Sequence, residues 1–305
     1  MNIIKDLNSF KQRAYLFVQW FFKSRYFKGK SKIEKLLIGI INSCFPFPNC
    51  HVTVDFNKGF KMNLNLKDDL ERNIYLNNNE RGTYLFLSNN LKSGMSFVDV
   101  GAHVGFYTLL AAGIVGEKGN VYSFEPSFAT FSRLNDHIVL NGYKNVTYFN
   151  AAVGENNLQK NVYSIVNGNS GMDTLSPNRS SGVKLENTCK VVSLDGMIFG
   201  KKINMPNFVK VDAEGSELEI IKGAKKVILA DNPPQFIIEL SRTTMEPFGY
   251  TPEEFLEYLK GIRKYEMSWF NLKKDCFQRV DLALPLPHYR YSGGYFGDNY
   301  FFKFI

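Results

Sequence analysis

The alternation of apolar and polar residues changes its rhythm twice along this chain. Residues 1–48 read as helical and aromatic-rich, and Pro46 and Pro48 stop that pattern. "HVTVDF" (51–56) and "FKMNLNL" (60–66) then alternate apolar with polar around "NKG", which predicts a β-hairpin. "TYLFLSNNLKSG" (83–94) predicts a helix ended by Gly94. From residue 96 onward, short apolar runs alternate with helical periodicity. "SFVDV" (96–100), "NVYSFE" (120–125), "NVTYFN" (145–150), "NFVKVD" (207–212) and "QFIIEL" (235–240) predict buried strands. Helices are predicted near 104–115 and 128–141. The second has Phe128, Phe131, Leu134 and Ile138 as its core stripe and "NG" (141–142) as its stop. Strand, helix, strand repetition of this kind predicts an α/β fold, a mostly parallel sheet with helices on both faces.

Two later helix starts are well marked. Ser216 with Glu219 reads as a capping box, and Thr251, Pro252 and Glu254 read as N-cap, first-turn proline and N3 acid. "YEMSWFN" (265–271) and "NYFFKFI" (299–305) predict an antiparallel strand pair beside the parallel sheet. The long connection 154–190 holds a polar, small-residue stretch, "NGNSGMDTLSPNRSSG" (167–182). A connection of that length is read either as a substrate-side element or as a plain flexible loop. The expected organisation is a helical extension at 1–50, a hairpin and helix at 51–95, and one large domain at 96–305.

Composition narrows the setting more than the function. The formal net charge is +8, with Lys23, Arg25, Lys28, Lys30 and Lys32 close together. This segment reads as a solvated basic face, or as a peripheral contact with an anionic membrane through residues 11–35, and least readily as a nucleic-acid surface. Cys44, Cys50, Cys189 and Cys276 form no C-x-x-C pair and have no zinc-site spacing to a histidine. A reducing, cytoplasmic location without a disulfide framework is therefore expected. "AYLFVQWFF" (14–22) and "LLIGIINSCFPFP" (36–48) both fall short of the ~20 apolar residues that cross a bilayer.

The candidate chemistry begins where the first core strand ends. Asp99, Gly101 and Gly105 form D-x-G-x-x-x-G at a strand-to-helix turn. A dinucleotide fingerprint has glycine in the first position and its last glycine one residue earlier. An aspartate at the turn repels a pyrophosphate but suits a cofactor with a cationic amino-acid end, such as S-adenosylmethionine. Glu125 ends the second core strand, where an acid can accept ribose hydroxyls.

"FVDVGAHVGFYTLLAA", "VYSFEPS", "NAAVGE", "VVSLD" and "FVKVDAEGSELEIIKGA" follow one another in the order and spacing of the FkbM-type methyltransferases. The resemblance covers about residues 60–245, and D-x-E-G-x-E at Asp212, Glu214, Gly215 and Glu217 is its most specific part. It implies a class I, Rossmann-like methyltransferase fold and S-adenosylmethionine-dependent transfer of a methyl group to a hydroxyl. The acceptor it implies is a sugar or glycan, a lipid-linked saccharide or a small metabolite. By position, Asp99, Gly101 and Gly105 would line the methionine end of the cofactor, with His103 in the same loop where the family more often has asparagine. Glu125 would hold the ribose, and Ala152 in "NAAVG" would border the adenine.

Removing a proton from a hydroxyl calls for a base near the reacting methyl group. Asp212 is the first candidate and Glu214 the second. Glu217 reads as an ordinary first-turn acid, and Glu239 is a further option. Asp212 with Glu239 could instead hold Mg²⁺, an alternative not favoured, so no metal site is assigned. His103 is read as bonding neighbouring backbone rather than as a base. His51, His137 and His288 are given no role. Two other classes stay open, a dinucleotide-dependent oxidoreductase and a non-catalytic membrane-surface or nucleic-acid module. Base methylation is disfavoured, since "NPPQF" (232–236) precedes the fifth strand instead of following the fourth.

Overall fold

The computed structural model describes residues 51–56, 59–75, 80–166, 170–178, 182–272, 274–283, 286 and 298–305. The helical extension, the basic segment, the membrane contact assigned to 11–35, Cys44, Cys50 and His288 lie outside the described residues. The described helices include none long and apolar enough to cross a membrane. The chain forms two compact units, Met1–Asn79 and Glu80–Ile305.

In the first unit, β1 (His51–Phe56) and β2 (Phe60–Asn65) form the expected antiparallel hairpin, in register from His51↔Asn65 to Phe56↔Phe60. A short helix, α1 (Asp69–Tyr75), follows. Asp68 starts it by accepting the N–H groups of Leu70 and Glu71 through Oδ1. Glu71 ties the helix back to the hairpin by accepting the Asn65 N–H at 2.7 Å.

The second unit opens with α2 (Arg81–Asn90), which stops four residues before Gly94 because Leu91 is already extended. Gly94, at φ +82°, instead shapes the turn into the sheet. There follow β3 (Ser96–Val100), α3 (Phe106–Val115), β4 (Asn120–Phe124), α4 (Phe128–Asn141), β5 (Val146–Phe149) and β6 (Ala151–Val153). The chain continues through β7 (Gln159–Ile165), β8 (Val183–Val192), β9 (Phe208–Val211), α5 (Glu217–Lys222), β10 (Gln235–Leu240) and α6 (Pro252–Ile262). It ends with β11 (Tyr265–Asn271), β12 (Cys276–Arg279) and β13 (Asp298–Phe304).

The main sheet runs β12-β11-β13-β10-β9-β3-β4-β5. The five strands read from apolar runs are its parallel block. β13 lies antiparallel between β10 and β11, so the predicted C-terminal pair is present. This is the class I methyltransferase fold expected above. The parallel strands are covered on both faces, which is why they read as predominantly apolar runs. Val98, Val100, Val209, Val211, Phe236 and Ile238 are all in the buried core. Removing one such aromatic side chain, as in Phe236→Ala, costs about 3–5 kcal/mol. The chain passes from β3 outward to β4 and β5, then returns to β9 on the other side of β3. Ligands of open α/β sheets bind beyond the carboxyl ends of the strands at such a reversal.

Three local readings need correction. Phe128 is exposed rather than part of the core stripe, because it opens α4 on its outward side; Thr130, Leu134, His137 and Ile138 are the buried residues of that helix. Ser216 makes no side-chain cap; its hydroxyl donates to the Ala213 carbonyl, while Glu219 pairs with Lys222. The Thr251 box, by contrast, forms in both directions. Finally, the connection 154–190 is a second sheet, ordered β6-β8-β7, with the polar stretch at the tip of the β7–β8 hairpin.

Candidate active site

The loop after β3 lies at the carboxyl ends of β3 and β9, where the Asp212 N–H still donates to the Val100 carbonyl at 3.1 Å. Gly101, at φ +77°, and Ala102 both donate their N–H groups to the Phe124 carbonyl at 3.0 Å, which anchors the loop to β4. A Cβ at Gly101 would overlap the Asp212 carbonyl oxygen, so only glycine lets the loop after β3 and the turn after β9 touch. Gly105 caps α3 in the left-handed region.

Asp99 is 1% exposed. Its Oδ2 accepts from Thr108 Oγ1 at 2.7 Å, and the Thr108 oxygen accepts in turn from Ser123 Oγ at 2.8 Å. Its Oδ1 is buried with no hydrogen-bond partner among the described residues. Burial raises the pKa of this carboxyl, against the Lys210 charge and the Thr108 hydrogen bond. A buried carboxylate oxygen without a donor is costly. Its position beside a glycine turn suits a ligand that brings a cationic donor, as the ammonium end of S-adenosylmethionine does.

His103 enters this site through its backbone. Its φ is +51°, and its N–H donates to Glu125 Oε2 at 2.8 Å. Glu125 Oε1 accepts the Ser127 N–H at 2.9 Å. Glu125 therefore bridges the glycine loop and the β4–α4 turn, and it is 5% exposed. Burial pushes its pKa up to about 8; the Ser127 and His103 N–H groups oppose the rise, and the Asp173 and Asp99 charges add to it. Ala152 sits in β6, just beyond the end of β5, and packs with Val162, Cys189 and Val191 of the second sheet. Asn150, between the two strands, is the residue of that segment that touches Glu125, donating its amide to the Glu125 carbonyl at 2.9 Å.

The turn after β9 brings the candidate bases together. One carboxylate oxygen from each of Asp212, Glu214 and Glu239 lies within 4.8 Å of the others. Lys210 Nζ donates to Asp212 Oδ2 at 2.7 Å from a side chain that is 2% exposed. Burial alone would lower the Lys210 pKa, but the charges of Asp212, Glu80 and Asp99 together outweigh it and raise it. Loss of solvent, then the charges of Asp212, Glu214, Glu217 and Glu80, raises Glu239 well above the usual carboxylate range. Glu214 stands at φ +51°.

Glu217 shapes this turn. Its Oε1 accepts the N–H groups of Ala213 and Gly215, at 3.1 and 3.2 Å. The polar tip of the β7–β8 hairpin reaches the same turn. Thr174 Oγ1 donates to the Glu214 carbonyl at 3.2 Å, and Ser176 Oγ donates to the Pro247 carbonyl at 3.1 Å. Thr108, Thr174, Lys210 and Tyr250 were not read from the sequence as site residues. Only Lys210 carried a signal, as the single charge inside the apolar run "FVKV".

A model of the methyltransferase FkbM domain matches residues 99–267, more than half of the chain. The chain belongs to the FkbM methyltransferase family. The chain spans only about half of the length of the relatives named first below. The chain is 30% identical over 157 residues to the hexuronic acid methyltransferase AglP of Haloferax volcanii; the match covers 50% of this chain and 58% of that protein. A solved FkbM methyltransferase from Methylobacillus flagellatus shares 20% identity with a TM-score of 0.45, covering 73% of this chain and 48% of that one. An S-adenosylmethionine-dependent O-methyltransferase from Thermotoga maritima shares 12% identity with a TM-score of 0.38, covering 73% and 62%.

Proposed function

We propose that this chain transfers a methyl group from S-adenosylmethionine to a hydroxyl of a sugar, free or within a glycan or lipid-linked saccharide. The observation that carries this reading is the meeting of Asp212, Glu214 and Glu239 beside the Asp99–Gly105 loop, at the sheet's reversal point. The hexuronic acid named for AglP supports a sugar acceptor.

Asp99 and the Gly101 turn would hold the methionine end, and Glu125 the ribose. Bound there, S-adenosylmethionine supplies an electrophilic methyl on a good leaving group, so the protein has chiefly to align an oxygen and accept its proton. Asp212 is the base or orienter in this reading. Lys210 occupies Oδ2, which leaves Oδ1 to meet the acceptor hydroxyl. Glu214 and Glu239 would fix the neighbouring hydroxyls of a polyol. Asp212, Glu214 and Glu239 would be the residues to hold Mg²⁺, which would supply Lewis acidity to an acceptor oxygen; that reading is not favoured, because Lys210 already neutralises Asp212.

The test is methyl transfer from deuterated-methyl S-adenosylmethionine to a panel of p-nitrophenyl hexosides, hexuronides and glycolipids. A mass increase on a ring hydroxyl, lost in Asp212→Asn, is expected. Methylation confined to carboxylates or nitrogen would contradict the hydroxyl assignment.

A further inference from the structure

Lys210 is a lysine buried in the middle of a central strand, and proton removal from a hydroxyl does not by itself require one there. It pairs in register with Asp99 across the β3–β9 boundary, which places both side chains on one face of the sheet. Its ammonium donates to Asp212 Oδ2 at 2.7 Å and lies 5.0 Å from the centre of the Tyr107 ring. The charges of Asp212, Glu80 and Asp99 all act on it. One ammonium therefore balances the carboxylate of the cofactor loop and the candidate base together, where little water screens either.

S-Adenosylmethionine carries a sulfonium charge that its demethylated product lacks, and the two are otherwise alike. Uncompensated carboxylates would favour the charged form alone. That preference opposes transfer, because stabilising the charged ground state more than the transition state, in which the charge is dispersing, lowers the rate. A fixed ammonium in the same site offsets the preference. We propose that Lys210 sets the selectivity of the cofactor site between sulfonium and neutral thioether by counterbalancing Asp99 and Asp212. It is a positioning residue, acting through those two carboxylates, and the proposal rests on S-adenosylmethionine being the methyl donor.

The test is calorimetric titration at pH 7.5 of S-adenosylmethionine, S-adenosylhomocysteine and sinefungin, which has an amine-bearing carbon in place of the methylsulfonium. The proteins are the wild type, Lys210→Met, Lys210→Arg and Asp212→Asn. In Lys210→Met the ratio of affinities shifts about tenfold toward S-adenosylmethionine over S-adenosylhomocysteine, and sinefungin moves with the former. Lys210→Arg keeps the wild-type ratio. Asp212→Asn shifts it the other way, which decides the matter even if Lys210→Met does not fold. Ratios within twofold of wild type in the folded variants overturn the proposal. Failure of the wild type to bind any of the three ligands overturns the donor assignment instead, a separate outcome.

Discussion

Tyr250 and Glu217 grip the turn after Asp212 from two sides. The tyrosine hydroxyl donates to the Gly215 carbonyl at 2.7 Å, accepts the Leu218 N–H at 3.1 Å and lies 3.2 Å from Glu217 Oε2. Glu217 is fully buried and holds the N–H groups of the turn with its other oxygen. Gly215 completes the packing, since a Cβ there would overlap the Thr244 carbonyl. Tyr250→Phe strands two buried backbone groups and should cost about 1–3 kcal/mol. In a unit of this size, that lowers the melting temperature by several degrees. Glu217→Ala should cost more, because it leaves the Ala213 and Gly215 N–H groups without that acceptor and also removes a fully buried side chain. Thermal and urea denaturation check both; Tyr250→Phe melting with the wild type would mean the clamp is incidental.

Under the proposed role of Glu125 as the ribose acceptor, stability and cofactor binding should depend on pH in opposite directions. Its folded-state value of about 8 stands above the ordinary 4.5, so the folded protein keeps a proton that the unfolded chain gives up. This contribution favours the fold fully below about pH 4.5 and is lost as pH rises toward 8. Glu125→Gln should therefore flatten the pH dependence of the melting temperature across that window. Ribose hydroxyls donate to the ionised carboxylate, so cofactor affinity should rise as pH approaches 8, with release of a proton on binding. Titrations in buffers of different ionisation enthalpy measure that proton. Its persistence in Glu125→Gln would assign it to another group.

Thr174 should act on turnover rather than on cofactor affinity. Its hydroxyl fixes the peptide of Glu214, at the tip of a hairpin that also docks on Pro247. Thr174→Val removes one neutral hydrogen bond, so the methylation rate should fall about 3- to 10-fold. S-Adenosylhomocysteine affinity should stay within twofold, and Thr174→Ser should restore the rate. An equal loss in rate and cofactor affinity would place the hairpin tip on the cofactor side instead.

The fold was legible where burial is two-sided. The runs ending at Val100, Phe124, Val211 and Leu240 are mostly apolar because both faces of the sheet are covered, with Asp99, Lys210 and Glu239 as their charged exceptions. The second sheet was not, because β7 and β8 bury little beyond Val162, Ile165, Cys189 and Val191 and so leave no clear alternation. Capping shows the same limit. Thr251 closes its box locally, whereas Ser216 loses the role to Glu217, which reaches back to the Ala213 and Gly215 N–H groups. The Asp99–Gly105 loop and the D-x-E-G turn could be read because each is a short local pattern. Lys210 showed only as a charge in an apolar strand. Tyr250 and Thr174 left no trace, since each meets its partner only after the chain has passed through at least one further strand.

In the proposed reading, the orphaned oxygen of Asp99 holds the methionine end of S-adenosylmethionine and the carboxylate of Glu125 holds its ribose. Calorimetric titration of that cofactor into the wild type, Asp99→Asn and Glu125→Gln tests it most directly. One-to-one binding in the micromolar range is expected for the wild type, weakened at least about tenfold in each variant. Binding of equal strength in all three folded proteins, or none in the wild type, would contradict it.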